Sequence, residues 1–173
     1  MSTPKDWVRA YARQADVDLR AHELYANHPF AIAAECHKLL FLQMACEKAC
    51  KAYLIRGGVE FSSVRTSHAH IAGPLPGILR QRMMKLGYDT RKIESLVAKF
   101  RHIAREIELL NPSVEDGGRR PANCEYPWPS GELVITPRDH HFEISRLMLQ
   151  PAGVTFRKRL RDAIDSILIE TGG

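Results

Sequence analysis

"MACEKACKAYLIRGG", Met44 to Gly58, is the stretch on which the reading of this chain turns. Glu47, Lys48 and Lys51 stand in it among Ala, Cys, Met, Leu and Tyr, and two glycines close it. Glycine at the end of an apolar run is a helix stop, so the run ends as a helix at Gly57 and Gly58. Upstream, "ANHPF" marks the beginning, because Pro29 disfavours helical geometry at His28 yet suits the first turn of a following helix. The expected helix runs from about Pro29 to Arg56. Ile32, Leu39, Leu40, Leu42, Met44, Cys46, Ala49, Tyr53 and Leu54 point several ways around it, and a helix that is apolar over most of its circumference belongs at the centre of a bundle.

The polar minority of that helix is patterned. Gln43, Glu47 and Lys51 follow one another at spacings of four and share one stripe, with Glu before Lys in the favourable order for an ion pair. Two roles are open to them. The pair can place its polar heads at the edge of the bundle while the Lys stem covers apolar surface. Alternatively, Lys51 faces a basic groove and holds a phosphate as a point charge.

The flanking segments are helical too. Trp7, Tyr11, Ala15, Leu19 and His22 recur at steps of three and four and predict a first helix over Trp7 to Tyr25. "VEFSSVRTSHAH" is a connector, and "IAGPLPGILRQRMMKLG" predicts a shorter helix with Ile78, Leu79, Met83 and Leu86 inward. The cleanest stripe is Ile93, Leu96, Val97, Phe100, Ile103, Ala104, Ile107 and Leu110, a helix over Thr90 to Leu110. Its outer face is expected to carry Arg91, Lys92, Lys99, Arg101 and Arg105 against Glu94, Glu106 and Glu108.

Asn111 and Pro112 end that helix. The Pro- and Gly-rich region 111–137 has no helical period, a length of irregular chain that is usually functional or disordered in a compact domain. "ELVIT" within it predicts a short strand. The residues over 138–170 predict two more helices, "RDHHFEISRLML" and "PAGVTFRKRLRDAIDSILIE", the second with Phe156, Leu160, Ile164 and Ile167 inward. Its "RKRLR", Arg157 to Arg161, reads as a solvated face.

The expected architecture is all-α, an up-and-down bundle of four to six helices with an irregular insertion at 111–137, in a single domain over 1–173. The length of 173 residues suits one core and is short for two. Hydrophobic residues at 45% and charged residues at 26% are ordinary for a globular protein, which argues against disorder or a coiled rod. No run reaches the roughly 18 uncharged residues of a membrane span, so the default expectation is a cytoplasmic protein with no membrane partner. Lys and Arg outnumber Asp and Glu by 25 to 20, a mild basic excess that suits an anionic partner without requiring one. Cys36, Cys46 and Cys50 lie in one helix and Cys124 lies apart; none has zinc-ligand spacing, so all four are expected to pack as small hydrophobes, with no metal and no cofactor.

Four motifs in order resemble the HEPN (higher eukaryotes and prokaryotes nucleotide-binding) domain. They are "ADVDLRAHELY" in the first helix, "QMACEKACKAYLI" in the second, "RTSHAH" after it, and more loosely "RRPANCEYP" after the helix ending near Leu110. The resemblance covers the chain to about Pro129. It implies nucleotide or RNA binding, often by a symmetric homodimer, and a nucleotidyltransferase as a common partner in toxin–antitoxin pairs; the reading of Lys51 as a phosphate ligand fits it.

Many members of that family are metal-independent ribonucleases that use an Arg and a His separated by four to six residues. A His can move a proton to or from the 2'-hydroxyl or the leaving oxygen. A nearby Arg can stabilise charge on the phosphoryl group. Here Arg65 and His70 have that spacing, but they fall after the second helix, whereas the family's pair lies towards the C-terminal half. Arg119 and Arg120 are closer to the family's place and have no His in the window behind them. Three functions therefore stand side by side: a non-catalytic nucleotide- or RNA-binding module, a ribonuclease toxin using Arg65 and His70, and a helical adaptor that docks a protein. In the first, Arg119 and Arg120 with Tyr126 and Trp128 offer phosphate recognition and a stacking surface. In the other reading of that stretch, its prolines stiffen a loop whose aromatics cover the bundle.

Overall fold

A computed structural model describes residues 2–27, 35–114 and 121–172. It is an all-α bundle. Its helices are α1 (Pro4–Asn27), α2 (Glu35–Arg56), α3 (Phe61–Arg65), α4 (Pro74–Lys85), α5 (Thr90–Glu108), α6 (Glu143–Leu149) and α7 (Pro151–Thr171). Seven helices among the described residues exceed the four to six expected from periodicity. The extra one, α3, is five residues long and too short to show a period. The expected start of the second helix at Pro29 lies outside the described residues.

Local chemistry explains the ends. Thr3 and Asp6 cap α1 reciprocally: the Thr3 amide donates to the Asp6 carboxylate at 2.7 Å, and the Asp6 amide donates to the Thr3 hydroxyl at 3.3 Å. Asp89 caps α5 by accepting from the Lys92 amide at 3.1 Å. At the end of α2, Gly58 adopts a φ of +90°, and the Val59 amide turns back onto the Leu54 carbonyl at 3.0 Å. A left-handed residue closing the last turn is what the Gly57–Gly58 pair predicted.

α2 is the centre. It packs mainly against α1 and also touches α3, α4, α5 and α7. Leu39, Leu42, Ala45, Cys46, Ala49 and Cys50 are all buried on it. The main core joins these to the α5 stripe and to Phe156, Leu160, Ala163 and Ile164 of α7, with Phe100 and Phe156 in an edge-to-face pair 5.5 Å apart. A smaller cluster of Val8, Ala12, Ala52, Ile55, Val64 and Ile167 seats α3, helped by Trp7 stacked on Phe61 at 4.0 Å. The four inward residues predicted for the last helix are all buried. Leu86 is exposed instead, because α4 stops at Lys85 and the chain turns at Gly87 with φ +73°.

The irregular region carries a two-stranded antiparallel hairpin, β1 (Trp128–Ser130) with β2 (Leu133–Ile135), in the register Trp128 with Ile135. β2 lies inside the "ELVIT" expected as a strand. Pro137–Asp139 forms a short 3-10 turn before α6. No helix among the described residues is long and apolar enough to cross a membrane.

"RKRLR" is not a solvated face. Arg161 pairs with Asp16 of α1 and, at 2.9 Å, with Glu23. Arg159 is buried, bonded to Asp162 at 2.9 Å and lying over the Tyr88 ring. Arg157 reaches the Met148 carbonyl at 3.5 Å, which leaves Lys158 as the exposed cation of the group. α7 is covered by α1 on one side and α4–α6 on the other, so cations that a lone helix would give to water become braces between helices.

Candidate functional site

Glu47 and Lys51 sit one turn apart on α2, 7% and 4% exposed. The Lys51 ammonium donates to Glu47 Oε1 at 2.8 Å, and the Gln43 amide donates to Glu47 Oε2 at 3.0 Å. The expected stripe is therefore a closed chain of three polar side chains, all buried. Burying a charge is tolerable only when it is paired and hydrogen-bonded, and both conditions hold.

The chain also reaches outside its own helix. Lys51 Nζ donates to the Arg65 carbonyl at 3.3 Å, at the end of α3. His68 Nδ1 lies 3.2 Å from the Glu47 carboxylate, and donates to it in the tautomer with its proton there. A second carboxylate completes the arrangement from the far side. Glu108 of α5, 5% exposed, accepts from the Ile71 amide at 2.9 Å and the Ala72 amide at 3.0 Å, with Arg105 Nη1 at 3.2 Å.

The segment from Arg65 to Ala72 is thus fastened at three points by buried charges. Its backbone is held while the Arg65 side chain faces solvent and the His68 ring is 44% exposed. His70 is placed differently: it is half-buried, and its Nε2 is closed off from solvent with no hydrogen-bond partner among the described residues. Arg65 enters the network through its carbonyl oxygen.

Glu108, expected from the sequence on the outer face of α5, lies on its buried face instead. A signal was present, since Glu108 follows the inward Ala104 by four and falls on the buried stripe. A Glu in that position needs donors, and the two connector amides supply them.

The other candidates are scattered. Arg119 and Arg120 lie outside the described residues. Tyr126 is 60% exposed on a turn in which the Asn123 side chain accepts from the Glu125 and Tyr126 amides at 2.9 and 2.7 Å. Trp128 is 6% exposed and meets His140 edge-on at 5.1 Å, so it covers the bundle and offers no stacking face. All four cysteines are free and buried. Burial pushes the thiols of Cys46, Cys50 and Cys124 well above their ordinary pKa. No group of His, Cys, Asp and Glu suited to a metal ion occurs among the described residues.

The chain matches no family model, no curated protein and no solved structure.

Proposed function

We propose that the chain is a HEPN-like helical module that binds nucleotide or RNA through Arg65 and His68 without cleaving the bound strand. The observation that carries this reading is the braced connector: its backbone is held by Lys51 and Glu108 and the His68 ring by Glu47, while the Arg65 side chain faces solvent and the ring stays partly exposed. An Arg on a held backbone is a good phosphate ligand, because its planar fork loses little freedom per hydrogen bond formed. Lys51 acts here from behind, holding the connector. Arg119, Arg120 and the exposed Tyr126 supply a second contact, with the ring stacking on a base.

Cleavage would require His70 to come within about 2.6 to 3.2 Å of the proton it moves. One of its two nitrogens is sealed from solvent, which works against that role. The resemblance adds a symmetric homodimer, so light scattering is expected to report twice the monomer mass.

The test is fluorescence anisotropy with a labelled single-stranded RNA across a salt series, together with a cleavage assay in chelator. Binding is expected to weaken as salt rises, because cation–phosphate contacts release counterions. Arg65→Ala is expected to lower the slope of log affinity against log salt by about one. RNA is expected to be cut no faster than by an Arg65→Ala, His70→Ala double variant. Metal-independent cleavage abolished in that variant would establish the ribonuclease instead, and absent or salt-insensitive binding would favour the protein-docking adaptor.

A further inference from the structure

The corner between α6 and α7 and the outer face of α5 flank a half-open cavity of about 630 Å³. The sequence explains why it is there. Ser95, Ala98, Lys99 and His102 recur on α5 at spacings of three and four, so they share a face, and two of them are too short to reach across. Opposite them, Pro151 redirects the chain after the seven residues of α6, and Gly153 lets α7 start hard against α6. A Cβ at Gly153 would lie 2.4 Å from the Leu147 carbonyl oxygen, so the corner is already closed as tightly as backbone allows.

The lining divides by chemistry. Ile103, Leu147 and Ala152 give an apolar body, while Lys99 and His102 stand exposed at the lip. No acidic residue among the described residues lines the cavity. The neighbouring carboxylate that feels His102, Glu143, is engaged by Arg146. The Val154 amide bonds the Gln150 carbonyl at 3.0 Å, but Gln150 makes no side-chain cap, so the Ala152 and Gly153 amides lack an intrahelical acceptor and add the positive end of a 21-residue helix to the same rim. A volume of this size, mostly apolar with a few convergent polar groups, has the character of a small-molecule site.

We propose that this cavity binds a small amphipathic anion, with an aromatic or aliphatic body against Ile103, Leu147 and Ala152 and one carboxylate, phosphate or sulfonate at Lys99 and His102. The site is separate from the braced connector. Lys99 precedes Glu108 by nine residues, roughly 13 Å along α5, so the test below does not depend on RNA binding.

The probe is anilinonaphthalene sulfonate, an aromatic anion whose fluorescence rises in apolar surroundings, set against the uncharged N-phenylnaphthylamine. The anion is expected to bind saturably with one site per chain, with amide shifts confined to α5 and the start of α7. Lys99→Glu is expected to weaken it at least about tenfold while leaving the neutral dye unchanged. Ala98→Phe, at an exposed helical position, is expected to fill the cavity and abolish both. Circular dichroism and the melting temperature confirm that each variant is folded. Equal binding of the two dyes, or anion binding indifferent to both substitutions, would overturn the proposal. So would loss of dye binding as protein concentration rises, which would assign the cavity to a second copy of the chain.

Discussion

Removing Lys51 tests whether the charges of α2 serve packing or ligand binding. In Lys51→Met the stem still covers apolar surface, but the Glu47 carboxylate, 7% exposed, keeps only the Gln43 amide and the partly exposed His68 ring. Breaking a buried pair on one side costs about 3–5 kcal/mol, because the remaining charge is stranded. The Arg65 carbonyl loses its donor as well. Against a total stability of roughly 5–15 kcal/mol, that is a large fraction. At about 2–4 °C per kcal/mol for a domain of this size, melting should fall by roughly 6–20 °C. Glu47→Gln should cost a similar amount from the other side. The double variant should cost no more than the worse single one, since a neutral amide in place of the carboxylate can still bond Gln43, while a thioether in place of the ammonium needs no polar partner. The cycle should therefore show a coupling of at least about 3 kcal/mol, the size of the smaller single loss. The assay is urea unfolding followed by far-UV circular dichroism, with the slope against denaturant checked for constancy. Single losses below about 1 kcal/mol that simply add would refute the reasoning. If RNA affinity then fell in the stable Lys51→Met protein, Lys51 would be a direct phosphate ligand.

Gly153→Ala should be strongly destabilising, by about 1–3 kcal/mol or more, since its Cβ meets backbone atoms that cannot rotate away; a melting temperature within a degree or so of wild type would show that the α6–α7 corner can open. Acid sensitivity should trace in part to His22, 2% exposed, whose Nδ1 donates to the Lys38 carbonyl at 2.8 Å and whose Nε2 is buried without a partner among the described residues. Burial, reinforced by Arg157 and Lys38 and opposed by the Lys38 carbonyl bond and Glu23, holds its pKa below the ordinary 6.5. The unfolded chain then takes up the proton first, so stability is full above about pH 6.5 and declines as pH falls below it. His22→Gln should flatten that decline in denaturant midpoints, and an unchanged slope would remove His22 as its source. The four buried thiols should resist a thiol reagent in the native protein and label together on unfolding; rapid labelling of any one would place that cysteine on a locally open element.

How much was legible in the sequence follows the range of the interactions involved. Periodicity, stop glycines and capping residues act within a few positions, so the helices from Pro4 to Glu108 and over Pro151–Thr171, and the inward stripe of α5, could be read directly, the five-residue α3 excepted. The helical character of the stripe Gln43, Glu47, Lys51 was legible for the same reason. What those charges do was not, because their other partners, Arg65 and His68, approach only when the connector folds back over α2. Glu108 and the connector amides are separated by 36 and 37 residues, and Arg161 and Asp16 by 145. A charge's role depends on what stands opposite it, and no pattern of period three or four encodes that. The cavity on α5 has the same origin: Ser95 and Ala98 are ordinary helix-surface residues until Pro151 and Gly153 bring a closed corner over them. The sequence by itself determined which segments are helical and which faces are apolar, since both rest on backbone geometry and solvent avoidance along one element. The tertiary structure alone decided which polar groups are braces, which stand free for a ligand, and where space is left between elements.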